Sequence, residues 1–140
     1  DLFSLAQRAL FEKIFSAFGF SLRLYSERML DALTAVAGSG PAYVFLFANA
    51  LIKTARRLGF GRREAEKIVV QTITGSLAYA ASLKEYDFER LIRAVRSKGG
   101  TTEAALSALP VASYYRQWQR AIARAYQRAQ KISSSGDNPL

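Results

Sequence analysis

The loop from Ser97 to Thr102 combines the residue types best suited to binding an anion. Its adjacent glycines, Gly99 and Gly100, can take positive φ and let the backbone approach a ligand. Thr101 and Thr102 open a predicted helix, whose unpaired N–H groups would point at an anion with the helix dipole behind them. The hydroxyls of Ser97, Thr101 and Thr102 add further hydrogen-bonding groups. The loop therefore fits a carboxylate or phosphate site, and it also fits a glycine turn followed by a threonine N-cap.

The chain contains neither cysteine nor histidine. Without thiols there are no disulfides, thiolate nucleophiles or zinc–thiolate sites, and without imidazole there is no triad base or histidine metal ligand. We therefore expect no metal site in this chain. Any chemistry must use hydroxyls, carboxylates, lysines or the backbone.

A second glycine segment, Gly38-Ser-Gly-Pro41, is predicted to end one helix and start the next, with Pro41 suited to a first helical position. It fits a set of N–H groups presented to a ligand at the start of an apolar helix. It fits a tight interhelical turn equally well, and the residues alone leave both interpretations open.

Four arginines recur every fourth residue near the C-terminus, and the chain as a whole carries a net charge of +9. Like charges at this spacing repel by about 0.2–0.5 kcal/mol per pair, so a phosphate backbone or the acidic groups of a partner chain would offset them. A solvated arginine face explains the spacing as well. The positive charge also fits a membrane surface or small anions. The four residues are Arg116, Arg120, Arg124 and Arg128.

Apolar residues recur at helical spacing along most of the chain, which predicts an all-α protein built as a multi-helix bundle. Ser26, Asp87 and Ser113 are the expected N-caps, and Gly59 ends the helix over 42–58. That helix is apolar nearly all round its first turns, so we expect it to be central and buried. The expected helices span residues 5–18, 27–37, 42–58, 64–82, 88–95, 101–109 and 114–132.

Residues 20–25 alternate between apolar and polar side chains as a short strand does, directly after a helix stop at Gly19. A single strand has no sheet to join, which is unexpected for a complete protein.

The longest apolar stretch, residues 41–48, is too short to cross a bilayer. The chain also starts at Asp1 rather than with a basic region before an apolar run, so no signal peptide is predicted. We therefore expect a cytoplasmic protein that does not enter a membrane.

Taken together, these segments resemble the C-terminal domain of pyrroline-5-carboxylate reductases. Residues 30–45 resemble that family's helix, glycine turn and buried helix, and residues 97–106 resemble its substrate loop and following helix. Between these two stretches, the sequence also matches the family pattern at Gly59, Gln71-Thr72 and Gly75-Ser76. The resemblance runs from about Ser26 to Lys131.

The resemblance implies an all-helical domain that forms an intertwined homodimer, and some family members build larger rings of dimers. It implies a separate Rossmann-like domain that carries NADPH or NADH. The reaction would be hydride transfer to the imine carbon of pyrroline-5-carboxylate, a small anionic imino acid, which yields proline in the last step of its biosynthesis. The cofactor would perform the hydride chemistry while the protein orients the imine.

The resemblance also assigns roles to the loop. The backbone N–H groups of Gly100, Thr101 and Thr102 would hold the substrate carboxylate with Ser97 assisting, and Gly99 is also expected among the substrate-binding residues. The Thr102 hydroxyl would lie near the ring nitrogen, which makes Thr102 the expected catalytic residue.

The sequence departs from the family at two positions and lacks one of its motifs. Lys98 stands where the family's loop usually has proline, and Asn49 stands where an acidic residue is common. The glycine-rich nucleotide fingerprint is nowhere in the chain, so we expect no cofactor to bind this chain alone. Residues 1–25 are interpreted as the last helix and strand of the missing nucleotide-binding domain, 26–132 as the dimerisation and substrate-binding domain, and 133–140 as a disordered tail.

Two other functions remain open at this stage. The chain would be a structural dimerisation module if it had lost its enzymatic role. It would be a basic helical nucleic-acid-binding domain if its arginine face contacted phosphates, although no recognised nucleic-acid motif accompanies that face.

Overall fold

The computed structural model describes residues 3–135, and every regular element within them is helical. This confirms the all-α fold class. The elements are α1 (Leu5–Ser16), α2 (Glu27–Leu33), a π-helical turn (Thr34–Gly38), α3 (Gly40–Arg57), α4 (Arg62–Ala81), α5 (Phe88–Val95), α6 (Thr101–Ala108) and α7 (Val111–Ser135).

Two of the predicted N-caps are confirmed by hydrogen bonds. The Ser26 hydroxyl accepts from the Met29 N–H at 3.3 Å, and the Asp87 carboxylate accepts from the Arg90 N–H at 2.8 Å. Each side chain satisfies one of the N–H groups that a helix start leaves unpaired. Gly59, at a φ of +106°, ends α3 as predicted because glycine adopts that angle without a steric penalty.

The expected break at Gly38-Ser-Gly-Pro41 is wrong. Ser39 keeps right-handed helical angles, and its N–H donates to the Thr34 carbonyl at 3.0 Å, one residue further back than in an α-helix. The backbone therefore passes from α2 into α3 through a π-helical turn. A proline ring clashes with the carbonyl four residues earlier in a regular helix, and the wider turn before Pro41 relieves that clash.

The expected strand does not form within the described residues. Residues 20–24 lie outside any helix or strand and are mostly exposed. A strand is defined by ladder hydrogen bonds to a neighbour, and no second strand lies within residues 3–135 to provide them. Alternation alone does not make a strand when no sheet is available.

The last helix starts earlier and ends later than predicted. The Pro110 carbonyl accepts from the N–H groups of Ser113 at 2.8 Å and Tyr114 at 2.9 Å, so Ser113 lies inside α7 rather than capping it. The helix continues to Ser135, which places residues 133–135 of the expected disordered tail in a helix. Residues 136–140 of that tail lie outside the described residues.

Few side chains of the single chain are buried. The buried ones within residues 3–135 are all small, namely Ala35, Ala65, Val69 and Ala80. None of them lies on α3, which corrects the expectation that this helix is buried: the side chains of Phe45 and Leu46 are 69% and 64% exposed. A single copy has no second layer to cover them.

Contacts with α7 fix the position of the first long helical segment. The Tyr43 ring of α3 packs edge-on against Trp118 with ring centroids 5.3 Å apart. Further along α7, the Tyr126 hydroxyl accepts from Arg28 Nε at 3.0 Å. Aromatic side chains of α7 therefore hold the α2–α3 segment in place.

The continuous helical segment from Glu27 to Arg57 is long and apolar enough to span a membrane by length and composition. This corrects the expectation that the longest apolar segment, residues 41–48, is too short to cross a bilayer. The small residues of the π-helical turn do not interrupt the apolar segment, which is therefore longer. The core helix of a soluble protein meets the same criteria.

Candidate functional site

The loop before α6 turns tightly at its two glycines. Gly99 has a φ of +71°, in the left-handed region that glycine favours. The Gly100 N–H donates to the Ser97 carbonyl at 3.0 Å, and Gly100 is the N-cap of α6. The helix therefore begins at Thr101, as the sequence predicts, and Ser97 and Thr102 lie on either side of one turn.

Two of the three N–H groups expected to hold an anion are open. Those of Thr101 and Thr102 form no hydrogen bond within the described part of the chain, as expected for the first turn of a helix. The third, on Gly100, is engaged by Ser97. The open groups lie at the positive end of the α6 dipole, where a carboxylate is stabilised.

Gly100 is required for its small size rather than for its backbone angles. A Cβ at this position would collide with Ser97 Oγ and lie 3.1 Å from the Ser97 carbonyl oxygen. The Ser97 hydroxyl thus lies against the bare Cα of Gly100. This close approach is possible only because position 100 has no side chain.

Glu103 also takes part in the loop, although its residue type and position did not mark it as a site residue. Its carboxylate accepts from the Gly99 N–H at 2.7 Å, so it holds the left-handed residue from inside α6. In a capping box the glutamate three residues after the N-cap accepts from the N–H of the N-cap itself, whereas Glu103 reaches one residue further back, to Gly99. Glu103 orders the loop and also brings one negative charge to its edge.

The two positions that depart from the family pattern differ in location. Lys98 is exposed within the loop itself, beside Gly99, where its charge favours an anion. Asn49 is exposed on α3.

The arginine face of α7 is solvated in the single chain. All four of its arginines are exposed, and no carboxylate within residues 3–135 forms an ion pair with any of them.

An apolar groove runs between α3, α4 and α7. Its volume is about 500 Å³, and the small side chains of Thr72 and Ser76 line it on the α4 side. Its main apolar lining consists of Val44, Phe47 and Leu51 from α3, Ile73 and Leu77 from α4, and Trp118 from α7. An open groove of this kind fits the apolar side chains of another helix.

Residues 27–132 match the family described as pyrroline-5-carboxylate reductase dimerisation. The matched segment contains the loop before α6, the apolar groove and nearly all of α7.

Two curated relatives have the corresponding name. The pyrroline-5-carboxylate reductase of Pseudomonas aeruginosa is 36% identical over 121 residues, which are 86% of this chain and 44% of that protein. Pyrroline-5-carboxylate reductase 2 of Bacillus subtilis is 40% identical over 105 residues, which are 75% of this chain and 36% of that protein. The chain spans less than half the length of these curated relatives.

Solved structures agree with this match at the level of the fold. A pyrroline-5-carboxylate reductase from Coxiella burnetii aligns with a TM-score of 0.87 and 32% identity, over 94% of this chain and 48% of that one. The Plasmodium falciparum pyrroline carboxylate reductase, solved with NADP bound, aligns with a TM-score of 0.80 and 26% identity, over 94% of this chain and 50% of that one. In both, the chain covers about half of the solved structure.

Proposed function

Because this chain belongs to the pyrroline-5-carboxylate reductase dimerisation family, we propose that it forms the helical half of an NAD(P)H-dependent enzyme that reduces pyrroline-5-carboxylate to proline, the last step of proline biosynthesis. The observation that carries the proposal is the match over residues 27–132, which includes both the anion-binding loop and the apolar groove. Substrate binding and subunit pairing would therefore be functions of the same segment.

The substrate carboxylate binds at the start of α6. The open N–H groups of Thr101 and Thr102 donate to it, with the helix dipole behind them. The Ser97 hydroxyl adds a contact, and Gly99 and Gly100 provide the turn and the close approach. Since the Gly100 N–H is engaged by Ser97, we assign it to the shape of the turn rather than to the substrate.

Thr102 is the catalytic residue of this half. A carboxylate held at the first turn of α6 brings the neighbouring ring nitrogen towards the Thr102 hydroxyl, which supplies its hydrogen bond as the imine carbon is reduced. This hydroxyl has no hydrogen-bond partner among the described residues and is therefore available to the substrate.

The hydride comes from NADPH or NADH. The residues of this chain do not fit such a cofactor, because the sequence lacks the glycine-rich strand–turn–helix that cradles a dinucleotide pyrophosphate. We assign nucleotide binding to the part of the relatives that this chain does not span. In that arrangement α1 and residues 20–25 are the end of the nucleotide-binding domain, and residues 20–25 pair as a strand only with that domain's sheet.

The chain pairs with a second copy of itself. The exposed side chains of α3 and the groove beside them form more apolar surface than a single copy buries. Two-fold pairing of identical surfaces is the commonest way to bury such an area. The same pairing explains the apolar segment from Glu27 to Arg57 without a membrane. We expect a cytoplasmic homodimer, and larger assemblies would be rings of such dimers.

The test uses a complete enzyme that contains this chain. We expect NADPH or NADH oxidation that depends on pyrroline-5-carboxylate, and neither turnover nor useful NADPH binding by the 140-residue chain alone. A folded, dimeric complete protein without this activity would show that the chain is a structural dimerisation module instead.

A further inference from the structure

The turn between α3 and α4 gathers positive charge around a cavity. Six cations occur within fifteen residues, namely Lys53, Arg56, Arg57, Arg62, Arg63 and Lys67. An open cavity of about 480 Å³ lies among them, lined by Lys53, Arg56, Arg57, Phe60, Gly61 and Arg62. Small-molecule pockets have volumes of about 300–1,000 Å³, so the space is adequate for a small ligand.

Backbone hydrogen bonds hold the turn in place. The N–H of Gly59 donates to the Arg56 carbonyl and that of Phe60 to the Ala55 carbonyl, each at 3.2 Å. Gly59, at a φ of +106°, lets the chain reverse between these bonds. The cations of α3 and Arg62 of α4 are therefore brought to one cavity by a closed, ordered connection.

The two carboxylates within the same fifteen residues are already engaged. Glu64 accepts from the Gly61 N–H at 2.9 Å, and Glu66 pairs with Arg62 at 2.9 Å. This ion pair raises the pKa of Arg62 further above its ordinary value. Neither carboxylate reaches the cations of α3, and Lys53, Arg56 and Arg57 form no ion pair within residues 3–135.

Helix stability explains only part of this arrangement. Arg56 and Arg57 complement the negative end of α3, where cations are favourable. Arg62 and Arg63 occupy the positive end of α4, where cations are unfavourable. Lys53 adds like-charge repulsion at three- and four-residue spacing to Arg56 and Arg57. A ligand with several negative charges would offset both effects.

We propose that the cavity at the α3–α4 turn is a binding site for a small ligand that carries a phosphate or oligophosphate group. Lys53, Arg56 and Arg57 bind the anionic oxygens from one side, because the guanidinium groups of Arg56 and Arg57 match phosphate geometry and the Lys53 ammonium lies one turn before them on α3. Arg62 approaches from the other side while keeping its ion pair. Phe60 gives the cavity an apolar wall.

Calorimetric titration of the purified chain with inorganic pyrophosphate at low ionic strength tests the proposal. We expect saturable binding that weakens as salt is added. The double substitution Arg56→Gln with Arg57→Gln should weaken it by about tenfold or more, since it removes two charge-assisted contacts.

The matched control is Arg120→Gln with Arg124→Gln, which removes the same charge from the exposed face of α7. This control should bind pyrophosphate within about twofold of the unmodified chain, since the charges it removes lie outside the cavity. Circular dichroism checks that both variants keep their helices, and Lys53→Gln with Arg62→Gln replaces the first pair if it unfolds. Equal weakening by the cavity and control pairs, or no saturable binding, would overturn the proposal.

Discussion

At Gly100 the hydroxyl and the carbonyl of Ser97 lie closer to the backbone than a residue with a Cβ would allow. The φ of −84° is accessible to every residue, but a Cβ would meet both the hydroxyl and the carbonyl of Ser97. That carbonyl cannot move away without losing the hydrogen bond that closes the turn. The requirement for glycine at this position is therefore one of space.

We expect Gly100→Ala to lower the free energy of unfolding by about 1–3 kcal/mol, the usual cost of forcing extra volume into a packed site. Urea denaturation measures it. Gly75→Ala is the matched control, because a Cβ there meets only the end of the Gln71 side chain at 3.9 Å and alanine is favoured inside a helix such as α4, so it should be neutral or stabilising. Equal stability of the two variants would contradict the close approach at Gly100.

Thr102 and Thr101 should respond differently to the loss of their side chains. In the complete enzyme, Thr102→Ala should reduce turnover by up to about a hundredfold, because a hydrogen bond to a polar group is worth about 1–3 kcal/mol. Thr101→Ala should be mild, since its contribution is a backbone N–H. Steady-state kinetics with pyrroline-5-carboxylate separates them, and Thr102→Ser should keep most of the activity. An unchanged rate for Thr102→Ala would leave its hydroxyl with no role in catalysis.

Residue types and spacing predicted the loop and the helix start at Thr101. They did not predict that the Gly100 N–H would bond to Ser97, because this depends on how tightly the turn closes. They also did not predict the role of Glu103, whose carboxylate reaches past the N-cap Gly100 to the N–H of Gly99.

Among the secondary-structure elements, periodicity located most helices well, since each has apolar residues at a regular spacing. The errors occur where the secondary structure depends on hydrogen bonds that the spacing of apolar residues does not reveal. At residues 38–41 the backbone stays helical by widening one turn, and at residues 20–25 no second strand is present. At the start of α7, the Pro110 carbonyl accepts the N–H of Ser113, which was expected to be the cap.

The short helix α5 depends on its cap more than the long helices do, because eight residues provide few internal hydrogen bonds. We expect Asp87→Ala to destabilise the helix by about 0.5–2 kcal/mol. Amide hydrogen exchange over residues 88–95 should speed up accordingly, while Asp87→Asn should stay close to the unmodified chain. Unchanged exchange in the alanine variant would mean that packing rather than capping holds α5.

The molecule as a whole exposes the apolar side chains that its sequence pattern marked as core. Helical periodicity identifies an apolar face but cannot say whether the covering layer comes from the same chain or from another. For α3, the resemblance to a dimerising family supplied this information. The single chain, with four small buried side chains among residues 3–135, illustrates the distinction.

We expect the purified chain to sediment as a dimer at micromolar concentration. Phe45→Asp should shift it to monomer, because a carboxylate in a dry interface loses its hydration without gaining a partner. Gln127→Glu, on the exposed part of α7, adds the same charge and should leave the dimer intact. A stable monomer would contradict the pairing, and a chain soluble only in detergent would favour a membrane-spanning role for residues 27–57.

The π-helical turn at Thr34–Gly38 acts as a phase shift in the helix that runs from α2 into α3. One additional residue in a turn rotates everything after it by about 100° around the helix axis. The apolar side chains of α3 therefore lie on a different side of the helix axis from the one they would occupy if α2 continued as a regular α-helix. The Tyr43 hydroxyl, which donates to the Ala35 carbonyl at 3.1 Å, locks the shifted phase. Deleting Ser39 would remove the additional residue and turn the α3 face away from its groove, so this helix tolerates substitutions far better than a change in length.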